Sequence, residues 1–298
     1  MSYLPHRAFI SPALPTADLP RLIIGVVAIE LIYGLCLDVI AIGLTALPTD
    51  LSNSYYYGTT PAGLLAQLLS FGFLAGAIAF VARFLNRRTF RSLIGAIGPA
   101  VHQFRVTLVV CLTLFAAIEL LPPYWSTAGA EPRSPVLWLM LLPLSFVALT
   151  VQTAAEELLY RGYVQQQLAA RFNTPWIWLT LPNLLFATAH WDSTAAMSDA
   201  VQYMVWAFCF GLAASDLTAR TGTLGAAVGF HLANNLYAFL FFGEAGSPDS
   251  GLALLLFPPE EPLLIPIAGD APILSLSLLV ELSIVALMWL VARVALRR

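Results

Sequence analysis

Lysine is absent from this chain: all 14 of its basic residues are arginines. Charged residues of both signs make up only 10% of the 298 positions, too few for the surface of an ordinary water-soluble domain. No nucleic-acid partner is expected of it. Cysteine is scarce as well. Cys36, Cys111 and Cys209 are odd in number and fall inside apolar runs, which argues against a disulfide framework and for small buried hydrophobes. An uninterrupted apolar start is also missing. Pro5, Pro12, Pro15 and Pro20 make residues 1–20 a poor helix and no signal-peptide core, so a short cytoplasmic tail is expected there. There is no internal repeat, no low-complexity tract and no second domain.

Apolar residues fill the space left by charge. They make up 59% of the chain, against about 45–50% in a soluble domain, and mean hydropathy is +0.80. Several apolar runs reach the roughly 20 residues that a spanning helix needs. The expected fold class is all-α, a polytopic helical membrane bundle forming one integral membrane domain over residues 1–298. Eight spans are read, at about 22–47, 62–85, 101–121, 135–171, 175–191, 200–218, 222–242 and 272–294. Pro122-Pro123 stops the third, and the loop 243–271 is the one place where a partial helix could hide.

Arginine placement orders these spans. Arg83, Arg87, Arg88, Arg91, Arg171, Arg220, Arg293, Arg297 and Arg298 collect on one side of an eight-span topology, and the opposite loops contain only Arg133. Those opposite loops hold Asp50, Glu131, Asp192, Asp199, Glu244, Asp249, Glu260, Glu261 and Asp270. The positive-inside rule then puts both termini in the cytoplasm, in a membrane of bacterial cytoplasmic type.

One stretch breaks the apolar pattern: Ala154-Ala155-Glu156-Glu157-Leu158-Leu159-Tyr160-Arg161-Gly162. Ionisable groups at membrane depth are rare and usually mark function. On a helix Glu157 and Arg161 are four apart with the acid first, the favourable ion-pair order. Glu156 is turned by about 100° and lacks that partner. The spacing therefore divides the labour, with Glu157–Arg161 as a structural pair and Glu156 free for chemistry.

Two further polar groups lie at depth. Phe186 and His190 share one helix face at i, i+4, and so do His231 and Asn235. From Glu156 the chain runs about 15 residues to the turn at 173–175 and about 15 back to His190, roughly 22 Å each way. Glu156 and His190 thus return to one level. His231 lies roughly 13 Å into its span, shallower unless helix tilt closes the gap. Taken singly, such histidines also suit interhelical hydrogen bonds, and Asn234 competes with Asn235 as the packing residue.

Glu-Glu-x-x-x-Arg at 156–161, Phe-x-x-x-His at 186–190 and His-x-x-x-Asn at 231–235, in this order in a multi-span chain, resemble the CPBP family. This is the group of CAAX proteases and bacteriocin-processing proteins also called Abi; the likeness covers about residues 140–240. It implies an intramembrane glutamic endopeptidase similar to the type II CAAX prenyl endopeptidase, with no cofactor and no metal. Its partners would be the lipid bilayer and a membrane-associated peptide or protein substrate. Carried onto this chain, Glu156 with His190 would activate water and His231 with Asn235 would stabilise the oxyanion. Glu157, Arg161 and Phe186 would support them structurally.

The chemistry agrees with that implication. Peptide hydrolysis needs a base for water and donors aimed at developing negative charge, and a carboxylate, an imidazole and an amide supply both. No Ser or Cys has an adjacent base, which disfavours a covalent mechanism. The ligand types would also suit zinc, but no His-Glu-x-x-His is present. A scaffold or immunity protein that keeps the motif for stability is the non-catalytic alternative. Glu30, Asp38, Glu119 and Glu281 are further charges near span depth, read chiefly as anchors. Because the turn at 171–175 lies on the arginine side, access to the site is expected from that side or laterally near that leaflet. Gly25, Gly34, Gly72 and Gly76 read as close helix packing.

Overall fold

Short polar residues with a proline just behind them start three of the long helices. Asp18 accepts from Arg21 N at 3.0 Å, Thr60 from Gly63 N at 3.2 Å and Ser134 from Leu137 N at 3.4 Å, with Pro20, Pro61 and Pro135 in the first turns. Each cap satisfies an N–H that the helix cannot, and proline has none to lose there. The computed structural model describes residues 3–121, 127, 129–259 and 273–298. The Pro122-Pro123 stop and the acids Glu260, Glu261 and Asp270 lie outside the described residues.

In chain order the described helices are α1 (Leu4–Ile10), α2 (Leu19–Leu44), α3 (Thr49–Tyr57), α4 (Pro61–Phe84), α5 (Phe90–Ile94), α6 (Ile97–Glu119) and α7 (Pro135–Glu157). A π-helical turn, Leu158–Gln165, joins α7 to α8 (Gln166–Arg171). Then come α9 (Pro175–Thr188), α10 (Met197–Thr221), α11 (Gly225–Leu240) and α12 (Leu276–Leu296). The protein is a helical membrane bundle and an integral membrane protein. Among the described residues six helical stretches are long and apolar enough to cross a bilayer: Leu19–Leu44, Pro61–Phe84, Ile97–Glu119, Pro135–Arg171, Met197–Thr221 and Leu276–Leu296.

The sequence reading of eight spans divides differently here. Its fifth and seventh segments are helices of 14 and 16 residues, about 21 and 24 Å long, short of a hydrocarbon core of about 30 Å. α11 escapes lipid almost entirely. A Cβ on Gly225 would collide with the Ala100 carbonyl and one on Gly229 would lie 3.1 Å from Leu108 N, so these glycines let α11 press on the α6 backbone. Among the glycines read as packing positions, Gly25 meets the Tyr163 ring, but Gly34 and Gly76 face open space and Gly72 touches only Val151, at 3.8 Å.

The first residues are no loose tail. Pro5 sits in the first turn of α1 and Pro12 starts a 3-10 helix over Ser11–Thr16, positions where a missing N–H costs nothing. This segment docks on the bundle. The Tyr3 hydroxyl donates to Asp216 Oδ1 at 2.8 Å, the His6 ring lies tilted with its centre 4.6 Å from that of Trp178, and Phe9 is buried. Gly222, at φ +75, ends α10 in the left-handed region and lies under Pro5, so a side chain there would be strained and would strike the tail. Beyond the opposite end, the loop 243–271 holds a short 3-10 helix, Ser250–Leu252, its residues 260–271 lying outside the described ones, and a small sheet joins β1 (Glu131–Pro132), β2 (Phe242–Glu244) and β3 (Leu255–Phe257). Its order is β1-β3-β2, antiparallel then parallel. Arg133 Nε donates to the Ala253 carbonyl at 2.9 Å beside it.

Candidate active site

α7 ends at Glu157, and the chain then widens into the π-helical turn with all eight of its residues buried. Single π-turns inside helices recur at functional sites. Arg161 lies within this one, fully enclosed. Its Nη1 donates to Glu157 Oε1 at 2.8 Å; its Nη2 donates to Asn183 Oδ1 at 3.1 Å and to the Gly211 carbonyl at 3.2 Å. The guanidinium also lies 4.8 Å from the centre of the Phe186 ring. Asn183 is held in turn, donating to Ser215 Oγ at 2.9 Å. One arginine thus ties the π-turn to α9 and α10.

The geometry separates the two glutamates. Glu157 Oε1 accepts a second bond, from His231 Nδ1 on α11, at 2.9 Å. The opposite ring nitrogen, His231 Nε2, lies 3.6 Å from Glu156 Oε2. That oxygen is buried without a hydrogen-bond partner among the described residues. His231 therefore stands between the carboxylates, bonded to one and facing the other.

One turn along, a second rung joins α7 to α11. Asn235 Nδ2 donates to Gln152 Oε1 at 2.8 Å, and Asn235 Oδ1 accepts from Asn234 Nδ2 at 3.2 Å. His190 comes from the residues just past α9. Its Nδ1 bonds the Phe186 carbonyl at 2.7 Å, and a carbonyl can only accept, so Nδ1 carries the hydrogen. In the neutral ring Nε2 is then the nitrogen able to take a proton. The ring lies 4.3 Å from Phe186 and 5.5 Å from Tyr203. All seven residues singled out by the motifs thus gather in one region, with Glu156 nearest His231.

A cavity of about 740 Å³ adjoins them. His190, His231, Asn234, Asn235 and Gln152 form its polar wall, and aromatic rings such as Phe115, Tyr203 and Trp206 form much of the rest. It extends to Asp199 in the first turn of α10 and to Ser277 and Glu281 in the first turns of α12. It therefore runs toward the loops rich in acids, away from Arg171 and Arg220, and the expectation of access from the arginine side is corrected. His190 follows the last turn of α9, at the acidic end of that helix. Of the other charges at depth, Glu281 lines the cavity, and Glu119 accepts a short bond from the Tyr237 hydroxyl. Among the described residues no three His, Cys, Asp or Glu side chains form a group able to hold a metal ion.

The sequence reading passed over Gln152 and Asn183. Both are neutral amides in apolar runs, and both sit at helical spacing from a motif residue: Gln152 four before Glu156, Asn183 three before Phe186. A search for charge alone does not see them.

Residues 134–237 match the family model described as type II CAAX prenyl endopeptidase Rce1-like, a stretch that contains every motif position. The resemblance carried by the motifs is therefore shown over the part of the chain that builds the site. A relative, the uncharacterized protein YyaK of Bacillus subtilis (strain 168), is 26% identical over 180 residues, 58% of this chain and 59% of YyaK. The chain thus matches under two thirds of that relative's length. No solved structure matches.

Proposed function

We propose that this protein is an intramembrane endopeptidase that hydrolyses a peptide bond in a membrane-tethered substrate, of prenylated type or with another apolar anchor. The family match suggests CAAX-type intramembrane protease activity. The observation that carries the finer reading is the unequal use of the two glutamates. Glu157 is spent on Arg161 and His231, whereas Glu156 Oε2 faces His231 Nε2 at 3.6 Å with no hydrogen bond of its own.

In this reading Glu156, assisted by His190 Nε2, takes a proton from water, and the hydroxide oxygen bonds to the scissile carbonyl carbon. The carbonyl pair moves to oxygen, where His231 and Asn235 donate to it. Collapse of the tetrahedral intermediate breaks the C–N bond, and the proton held by Glu156 passes to the departing nitrogen. The aromatic walls exclude water and accept the apolar part of the substrate. The positive-inside rule would put the arginine end and both termini in the cytoplasm.

The test is single-turnover cleavage of fluorogenic membrane peptides, one with a prenylated cysteine and one without, by protein reconstituted in vesicles. Wild type is expected to cleave at least one of them, Glu156→Gln to be inactive while still folded, and a strong chelator to leave the rate unchanged. Cleavage by Glu156→Gln at the wild-type rate, or loss of activity with loss of bound zinc, would overturn this mechanism.

A further inference from the structure

Among the polar side chains that the three motifs leave without a role at the depth of the site is Gln152. Gln152 stands one helical turn before Glu156 on the same face of α7. It is 7% exposed and forms part of the cavity wall. Its Oε1 accepts from Asn235 Nδ2 at 2.8 Å, which turns the carbonyl end of the amide toward α11. The other end, Nε2 with its two hydrogens, makes no hydrogen bond to the described residues and belongs to the cavity wall. Asn235 is more committed. One N–H goes to Gln152 and Oδ1 takes the bond from Asn234, leaving a single N–H to offer.

An amide N–H facing a cavity is free to donate to an acceptor that enters it. A peptide carbonyl is such an acceptor, and its oxygen becomes a stronger one as it gains charge. The geometry points to Gln152 as a further catalytic residue, its Nε2–H donating beside the remaining Asn235 N–H to the oxyanion at the scissile carbonyl. This rests on the hydrolytic reading above. The bond changes are those already given: the hydroxide oxygen bonds to carbon, the carbonyl pair moves to oxygen, and collapse returns it as the amine leaves with a proton. Gln152 exchanges no proton. Its N–H bond shortens its contact as charge builds and lengthens it as charge is lost.

Single-turnover cleavage of one fluorogenic membrane peptide by wild type, Gln152→Met, Asn235→Ala and the double variant tests this. Gln152→Met is expected to lower kcat about 10²-fold with KM within about twofold of wild type, the pattern of a donor used only in the transition state. The double variant is expected to fall at least about fivefold below Asn235→Ala alone. If Gln152 merely holds the Asn235 amide in place, Gln152→Met costs nothing further once Asn235 is alanine, and that result overturns the proposal. Should Gln152→Met fail to melt cooperatively, Gln152→Asn keeps the amide but withdraws it by about 1.5 Å. Its kcat is expected to fall at least about tenfold, and an unchanged kcat overturns the role equally. A wild type that cleaves nothing sinks the hydrolytic reading itself; an active wild type matched by an equally active Gln152→Met sinks only the assignment of Gln152.

Discussion

Replacing each glutamate of the adjacent pair by glutamine removes one charge and keeps the shape, and the two sites should respond in opposite ways. Glu157 and Arg161 are both fully buried and 2.8 Å apart. Glu157→Gln leaves the guanidinium in the interior with only neutral acceptors, Asn183 Oδ1 and the Gly211 carbonyl. It also takes the carboxylate from His231 Nδ1. Stranding one member of such a pair costs about 3–5 kcal/mol. By the scaling for domains of 150–250 residues, that lowers Tm by roughly 6–20 °C. Glu156 starts with an oxygen that has no hydrogen bond, so Glu156→Gln removes a poorly compensated charge and should shift stability by less than about 1 kcal/mol. Thermal melts of the two variants and wild type in one detergent, with peptide cleavage measured alongside, give the comparison. Glu156→Gln should melt like wild type without activity, and Glu157→Gln should melt well below it. If Glu156→Gln is the less stable of the two, the division of roles is backwards.

Gly211→Ala should loosen the same anchor from the other side, because its Cβ would lie 3.0 Å from Arg161 Nη2 and strike the Asn183 amide. A fall in Tm of at least about 5 °C is expected, and an unchanged melt would show that the arginine is not clamped there. Burial pushes His6 down to about 4 from the ordinary 6.5. The undocked tail therefore binds the proton first, so docking is full above pH 6.5 and weakens as pH falls toward about 4, by up to about 3 kcal/mol. Proteolysis at Arg7 should accelerate across that window, and His6→Leu should abolish the dependence. Single cysteines at Arg171 and Thr174, with the three native cysteines replaced, should react with an impermeant thiol reagent only from the cytoplasmic face. One at Ser193 should react from the other face, and the reverse pattern would invert the orientation.

Much of the site was legible because helical spacing is a property of sequence. The i, i+4 relation of Glu157 to Arg161 and the offset of Glu156 survive in three dimensions, since one turn of helix is too short for tertiary forces to rearrange. The partners across helices were not legible. Nothing in the order of residues says that His231 Nδ1 would choose Glu157, or that Asn235 would bond Gln152, because those pairings depend on how α11 rotates against α7. The count of eight spans is not confirmed, for a related reason. Apolar runs identify burial, and α11 is buried by α6 and its neighbours rather than by lipid, so its composition could not report its short length. The docking of α1 also escaped notice. Prolines that forbid a helix interior are harmless in a first turn or a 3-10 segment, and the aromatic partner of His6, Trp178, lies far along the chain.

The π-turn at Leu158–Gln165 makes the protein unusually sensitive to length at that place. A wider turn holds more residues than an α-helix of the same height. Losing one codon there would let the segment tighten into ordinary helix without unfolding it. Everything downstream would then be rotated by about 100° relative to the glutamates. Gly162, which passes close under the Leu93 carbonyl, would give way to a residue with a side chain at that crossing. A substitution in this turn changes one contact. A deletion changes the phase between the carboxylates and the rest of the bundle, so insertions and deletions here should be far less tolerated than in the loops on either side.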